Sequence, residues 1–143
     1  MSPKIISISN QVDLEKSFKL MKELRPHLSL QEYLDLYQKA HQESQYAMVA
    51  LEEKDQIVAL MGYRILTDFV RGRHLYIDDL VVGESVRSKG LGAYLLKQAE
   101  KFAAEKNCKS LRLSTGIENT RGMKFYEKNA WIKRAHVYTK KIG

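Results

Sequence analysis

A short basic segment with two glycines has the residue types of an anion-binding loop. It carries Arg87, Lys89, Gly90 and Gly92 between a strand-like stretch and a helical pattern. A helix N-terminus presents unpaired N–H groups and a partial positive charge, and glycines let phosphate oxygens approach the backbone. A glycine turn before a helix is common by itself, so the prediction of a phosphate site depends on the neighbouring motifs. The segment is not a P-loop, because it lacks Gly-Lys-Ser/Thr, and it is not a dinucleotide fingerprint, because Leu95 stands where the third glycine belongs.

Two adjacent carboxylates, Asp78 and Asp79, interrupt the apolar stretch before this loop. Aspartate is disfavoured within strands, and a carboxylate in a cleft can attract a cationic amine and take its proton. Alternation along a strand sends neighbouring side chains to opposite faces, so at most one is expected to point into a cleft. The other reading is that one of them only bonds a neighbouring loop. We favour Asp78 as the general base, and Asp79 is almost as good a candidate.

The remaining candidates for chemistry carry less information. Arg25 and His27 flank Pro26 between two predicted helices. A histidine there can contact substrate or relay a proton, or it can simply lie on the surface beside a helix-ending proline. The single cysteine, Cys108, cannot form an internal disulfide, and no spacing of His, Cys and carboxylates predicts a metal.

The elements that position these residues are predicted in the order β-α-α-β-β-β-α-β-α-β. Short polar turns join the second to fourth strands and predict an antiparallel meander, and the later strand–helix–strand order predicts a parallel pair. Ser29 and Glu32 predict a capping box. The fold class is α/β (α+β), with helices on both faces of a mixed sheet in one domain over residues 1–143. The predicted strands are Lys4–Ile8, Tyr46–Leu51, Gln56–Phe69, His74–Val82, Ser110–Ser114 and a strand or hairpin through Trp131–Lys141. The predicted helices are Val12–Leu24, Ser29–Glu43, Leu91–Lys106 and Thr120–Lys128.

Composition bounds the class of protein. The chain has 44% hydrophobic and 29% charged residues, an ordinary globular balance. It has neither an apolar run of about 18 residues nor the pattern of a signal peptide, so we expect no membrane association and a cytoplasmic location. The net charge is +7, but the basic residues are spread along the chain with no block of five. This distribution favours a solvated basic surface over a nucleic-acid partner.

Two motifs together resemble those of the GNAT acetyltransferases. The basic glycine loop is similar to the Arg/Gln-x-x-Gly-x-Gly/Ala signature that cradles the pyrophosphate of coenzyme A in that family. The segment from Asn119 to Trp131 resembles the family's Asn-x-x-Ala-x-x-Phe-Tyr-Glu-Lys-x-Gly-Phe, with Gly122 replacing the alanine and Ala130-Trp131 replacing Gly-Phe. The element order also agrees from end to end. The resemblance implies the GNAT fold, a mixed sheet of about six to seven strands whose fourth and fifth strands are parallel and splayed.

The resemblance also implies roles for individual residues. A backbone N–H of the fourth strand is expected to polarise the thioester carbonyl, and such preorganised donors often supply much of a rate enhancement. Tyr126 matches the family tyrosine whose hydroxyl can protonate the coenzyme sulfur, although alone it reads as a core tyrosine of a short helix. Asn119 is expected to cap that helix and to contact the pantetheine arm. An acidic pair like Asp78-Asp79 occurs in polyamine acetyltransferases.

The residues expected to bind acetyl-CoA are Leu80, Val81, Val82, Arg87, Ser88, Lys89, Gly90, Leu91, Gly92, Ala93, Asn119, Phe125, Tyr126 and Lys128, and those expected at the acceptor are Arg25, His27 and Asp78.

The expected function is acetyl-CoA-dependent N-acetylation of a primary amine, by direct attack in a ternary complex. The acceptor is an amine-bearing small molecule or protein. The alternative is a catalytically silent acyl-CoA-binding sensor, against which Tyr126 and the acidic pair argue. Nucleic-acid binding is the least favoured of the three functions, because only the net charge suggests it. Many members of the family pair through sheet edges or C-terminal strands, so a homodimer is a further expectation.

Overall fold

The computed structural model describes residues 3–87 and 89–143, which fall into two compact units, one up to Arg112 and one from Leu113 on. The strands are β1 (Lys4–Ser7), β2 (Ala47–Glu53), β3 (Gln56–Asp68), β4 (Gly72–Val82) and β5 (Ser110–Leu113). The helices are α1 (Gln11–Leu24), α2 (Leu30–Ser44), α3 (Leu91–Glu105) and α4 (Thr120–Lys128), with one 3₁₀ turn at Glu84–Val86.

The sheet has the strand order β1-β2-β3-β4-β5. The first four strands pair antiparallel in sequence, and β5 lies parallel to β4, so the predicted mixed topology is confirmed. The turn between β2 and β3 has Lys54 at φ 52° and Asp55 at φ 63°. Two successive residues with positive φ are what a tight two-residue hairpin turn requires, since its twist then matches that of the strands.

The centre of the sheet is covered on both faces. Met48, Ala50 and Leu60 belong to a core that also contains residues of α1 and α2. Their alternate neighbours are equally buried, which leaves no solvated face in the middle of β2 and β3. Helix α3 packs against β3 and β4, and the rings of Tyr63 and Phe102 stack with centroids 6.5 Å apart. Helices therefore lie on both faces, and strand residues here are apolar at every position rather than alternating.

The ends of the first two helices are set by local chemistry, as predicted. Ser29 and Glu32 form a reciprocal capping box, in which the Ser29 hydroxyl accepts from the Glu32 N–H at 3.1 Å and Glu32 accepts from the Ser29 N–H at 3.0 Å. Helix α1 ends at Leu24, immediately before the residue that precedes Pro26. The loop after it is held by Lys22, whose ammonium donates to the carbonyl of Leu28 at 2.9 Å.

Two expectations about the sheet are wrong. The described sheet has five strands rather than six or seven, and residues 131–143 form neither the predicted strand nor a hairpin. A strand needs a neighbour to pair with as well as suitable residues. Trp131 is half-buried, and four other apolar or aromatic side chains of this segment are exposed, namely Ile132, Val137, Tyr138 and Ile142. That residues 1–143 form one domain stays a prediction. Among the described residues, no helix has both the length and the apolar composition needed to cross a bilayer.

Candidate active site

A β-bulge in β4 brings the two aspartates to the same cavity. Gly62 of β3 pairs with Asp79, but the next residue, Tyr63, pairs with Ile77, so Asp78 is an extra residue on β4. A bulge interrupts the alternation of side chains and re-aims the residues beside it. Asp78 and Asp79 therefore both line one cavity. The expectation that only one of them could face a cleft was wrong, because it assumed unbroken alternation.

Asp79 is held by donors from two other elements. Its Oδ1 accepts from Nε and Nη2 of Arg25 at 3.2 and 3.0 Å, and its Oδ2 accepts from the Tyr46 hydroxyl at 2.7 Å. Arg25 follows the last residue of α1, and Tyr46 precedes β2. Hydrogen bonds between charged groups are stronger than those between neutral ones, so Asp79 connects the end of α1 to the sheet.

Asp78 has a guanidinium partner of its own. Arg64 of β3 donates from Nε to Oδ2 at 2.9 Å and from Nη2 to Oδ1 at 2.7 Å, the bidentate geometry that suits arginine and carboxylate. The bonds to Asp78 raise the pKa of Arg64. The Arg64 guanidinium also lies 5.3 Å from the centre of the Tyr76 ring. Arg25 reaches this residue as well, because its Nη2 donates to the backbone carbonyl of Asp78 at 3.2 Å.

These residues open into a cavity of about 580 Å³, within the usual range for small-molecule sites. Its polar wall is made by the two ion pairs together with His27, and apart from Ser44 its other walls are apolar or aromatic. The remaining lining residues are Met21, Leu28, Tyr33, Leu36, Tyr37, Ala40, Ser44 and Tyr46. The structure thus places Arg25, His27, Asp78 and Asp79, all predicted from the sequence, around one space.

The tyrosines of this cavity stay neutral at ordinary pH. Burial, and secondarily the charge of Asp79, raise the pKa of Tyr46 well above its usual range. Burial likewise raises the pKa of Tyr33 to about 12, opposed by its hydrogen bond with Ser17. The Tyr33 and Ser17 hydroxyls lie 2.7 Å apart. The Tyr46 hydroxyl therefore stays protonated at ordinary pH and can donate its hydrogen bond to Asp79.

The predicted anion-binding loop leads from the end of β4 into α3. Gly90 is the N-cap of α3 with φ 74°, and a Cβ at this position would meet nothing within 4 Å. The first N–H bonded back to this residue is that of Tyr94, so those of Leu91, Gly92 and Ala93 have no partner within the helix. Lys89 is exposed. The geometry is that of an open helix N-terminus beside basic residues, which suits an anion.

The other expected residues of this region have varied surroundings. Leu80, Val81 and Val82 lie in β4 opposite Met61, Leu60 and Ala59 of β3. Arg87 donates from Nε to the carbonyl of Val82 at 3.4 Å, and its guanidinium lies within 4 Å of Glu23 and Glu84 carboxylates. Ser88 lies outside the described residues.

The second compact unit contains the predicted residues of α4. Asn119 caps this helix, since its side chain accepts from the N–H of Gly122 at 3.0 Å, as predicted. Tyr126 is half-buried between two rings, with centroids 5.4 Å from Phe125 and 5.9 Å from Trp131. Burial raises the pKa of Tyr126. Lys128 is exposed at the last turn.

Sequence reasoning missed several residues of the cavity. Arg64 could have been predicted from the sequence, because a charged residue within an apolar strand needs a partner and Asp78 lies in the next strand. Nothing in the sequence indicated that the site includes Tyr33, Tyr37 and Tyr46, since aromatic residues at such positions are usual in a core. Among the described residues, no three His, Cys, Asp or Glu side chains are grouped so as to hold a metal ion.

Several known proteins that are similar to this chain are described as acetyltransferases. A model of the acetyltransferase (GNAT) family matches residues 13–131. The uncharacterized N-acetyltransferase YhdJ of Bacillus subtilis (strain 168) is 29% identical over 136 residues, which are 94% of this chain and 96% of that protein. The thialysine N-epsilon-acetyltransferase of Bos taurus is 33% identical over 57 residues, only 40% of this chain and 34% of that protein.

A solved structure extends the likeness to the whole fold. Aminoglycoside N-acetyltransferase AAC(6')-Iy in complex with CoA superposes with a TM-score of 0.83 at 18% identity, covering 99% of this chain and 97% of the other. At this level of identity the match establishes the fold and leaves the acceptor open.

Proposed function

Because the chain belongs to the acetyltransferase (GNAT) family, we propose that it transfers an acetyl group from acetyl-CoA to the primary amine of an acceptor. One observation carries the proposal: β4 presents two carboxylates to a cavity of about 580 Å³ and is followed in the chain by the loop that ends at the open N-terminus of α3. Strand β4 thus supplies the carboxylates of the proposed acceptor site, and the loop and helix that follow it supply the proposed anion site.

The residues around α3 fit the pyrophosphate of coenzyme A. Gly90 has a positive φ of 74° and open space around it, so its backbone is accessible to a phosphate oxygen. The exposed Lys89 adds positive charge beside it, whereas the charge of Arg87 is shared with the Glu23 and Glu84 carboxylates. Bound acetyl-CoA would supply the acetyl group as an activated thioester. The proposed donors to its carbonyl oxygen are backbone N–H groups of Leu80–Val82.

Asp78 is the better candidate for taking the proton of the amine. A carboxylate offers about four acceptor sites. Asp78 uses two of them for Arg64, whereas Asp79 uses three for Arg25 and Tyr46. Asp78 therefore keeps more capacity to accept from an amine or a bridging water, and Asp79 is better placed to hold the loop after α1.

Tyr126 is the proposed acid for the leaving thiolate. A general acid must be protonated at the working pH, and the raised pKa of Tyr126 keeps it so. Asn119 fixes the start of the nine-residue helix that carries it.

The cofactor site can be tested by titrating acetyl-CoA and CoA into the wild type and Gly90→Glu in a calorimeter. Glutamate there puts bulk and negative charge at the helix N-terminus. Gly72→Glu is a matched control, since Gly72 also has a positive φ of 65° and open space around it but lies at the start of β4. We expect binding to the wild type and to Gly72→Glu, and its loss in Gly90→Glu. No binding to the wild type would refute the proposal.

Turnover is tested by thiol release with a panel of amines. Tyr126→Phe should lower kcat by about 100-fold or more with binding of acetyl-CoA unchanged, the range for loss of a general acid. Tyr138→Phe is the control, because Tyr138 is 91% exposed. Binding of CoA without turnover of any amine would indicate an acyl-CoA sensor instead.

A further inference from the structure

The charged wall of the cavity is neutral as a whole. Each of the two carboxylates is paired with its own guanidinium, Asp79 with Arg25 at 3.0 Å and Asp78 with Arg64 at 2.7 Å. His27 is the remaining ionisable group of basic type on the wall, and the other lining residues are neutral tyrosines, an alcohol and apolar side chains. The cavity therefore differs from an acidic cleft, although the sequence shows two adjacent aspartates.

This neutrality disfavours acceptors that carry several positive charges. A polyamine would have to approach two guanidinium groups, or displace them from carboxylates that they hold with two bonds each. Like charges brought close together in a partly desolvated site repel. An acceptor that adds one positive and one negative group leaves the balance of the wall unchanged.

The guanidinium groups have donors left for an anionic group. Arg25 bonds through Nε and Nη2, and Arg64 does the same, so Nη1 of each makes no hydrogen bond among the described residues. The side chain of Arg25 is 43% exposed and that of Arg64 is 30% exposed. Arg25 is thus the more accessible, and its three bonds to Asp78 and Asp79 hold it in place. A preorganised guanidinium suits a carboxylate or a phosphate.

On these grounds, and resting on the proposed acetyl transfer, we infer that the acceptor is a small amine carrying one anionic group, a carboxylate or a phosphate, which Arg25 binds. The amine lies toward Asp78, which keeps two acceptor sites. The rings of Tyr37 and Tyr46, whose centroids are 6.0 Å apart, and apolar neighbours such as Leu28 suit the carbon skeleton between the two charged ends.

The test uses pairs of acceptors that differ only in the anionic group. Lysine is compared with cadaverine, and glucosamine 6-phosphate with glucosamine, by kcat/KM for thiol release; spermidine is the polycation. We expect the anionic member of at least one pair to be preferred by tenfold or more, and the pair identifies carboxylate or phosphate. Preference for cadaverine or spermidine would overturn the inference while leaving the acetyltransferase proposal intact.

The variant Arg25→Gln assigns the anion to its ligand. It should lower kcat/KM for the preferred anionic acceptor by tenfold or more, mainly through KM, and lower it by a smaller factor for the member of the pair that lacks the anionic group, because the loop that Arg25 holds is loosened for both acceptors. Arg73→Gln is the control, an exposed arginine that donates to the carbonyl of Lys106. An equal loss for both members of the pair would overturn the assignment. If Arg25→Gln does not fold, Arg25→Lys is assayed with the same two acceptors, and the acceptor preference of the wild type still tests the inference. Turnover of no amine, with CoA bound, would refute both the proposed function and this inference.

Discussion

Gly62→Ala is the substitution whose effect follows most directly from the position of Tyr46. A Cβ at Gly62 would lie 2.5 Å from Cζ and 2.9 Å from Cε1 of Tyr46, and closer still to the hydroxyl oxygen. Carbon atoms pack at about 3.5–4.0 Å, so the ring has to move by about 1 Å. Gly62 has no positive φ, so an alanine is free of backbone strain there. The cost therefore comes from the tyrosine.

Two contributions set the expected magnitude. Forcing a side chain out of a well-packed position costs about 1–3 kcal/mol. Moving the Tyr46 hydroxyl from its 2.7 Å bond with Asp79 sacrifices a hydrogen bond to a charged group, about 1.5–3 kcal/mol. Arg25 still holds this carboxylate, so the low ends of both ranges apply. We expect the free energy of unfolding to fall by about 2.5 kcal/mol, a large share of the stability of a small protein.

The assay is urea unfolding of the wild type, Gly62→Ala, Tyr46→Leu and the double variant. Leucine lacks the atoms that the new methyl would meet, so Gly62→Ala should cost less than about 1 kcal/mol in that background, and the pair should be non-additive by about 2 kcal/mol. Gly116→Ala is the control, since its Cβ would meet only ordinary contacts, the nearest at 3.5 Å. Additive effects would show that Tyr46 does not lie over Gly62, and would remove the basis for its bond to Asp79.

Three further outcomes are expected. Ser29→Ala should lower the free energy of unfolding by about 1 kcal/mol in urea, because it removes the capping box, and no change would contradict that cap. Burial raises the pKa of Tyr33 from 10.0 to about 12, so its contribution is fully present below pH 10 and is lost as the pH rises through about 12. Unfolding at pH 8 to 11.5 should show this loss, and Tyr33→Phe should remove this part of it. Asp78→Asn should lower kcat/KM by about 100-fold or more and Asp79→Asn by less, whereas the reverse order would make Asp79 the base.

Elements governed by local chemistry were predictable from the sequence. A helix near Thr120–Lys128 and its N-cap Asn119 were predicted, and the structure has both. The end of α1 followed from Pro26, and the capping box of α2 from Ser29 and Glu32. In each case a residue within four positions satisfies or forbids a backbone hydrogen bond, so the neighbouring sequence holds all the information that is needed.

Features that depend on distant partners were not predictable in this way. The strand expected through Trp131–Lys141 has suitable residues but no pairing partner among the described residues. The bulge at Asp78 depends on how β4 pairs with β3, 14 residues earlier at Arg64. The pairing of Arg25 with Asp79 joins residues 54 positions apart. Periodicity and capping rules do not extend over such separations.

The bulge explains why the site needs both of its arginines. Once Asp78 and Asp79 face the same cavity, two adjacent carboxylates repel each other unless each has a cation, and a buried unpaired charge is costly. Arg64 comes from the neighbouring strand, but Arg25 comes from the end of α1, so the bond to Asp79 also fixes the loop that borders the cavity. The same ion pairs therefore set the charge of the acceptor site and the position of its wall. It follows that replacing Arg25 changes the preferred acceptor and loosens the loop together, and that a change of specificity without loss of stability requires Asp79 to be replaced as well.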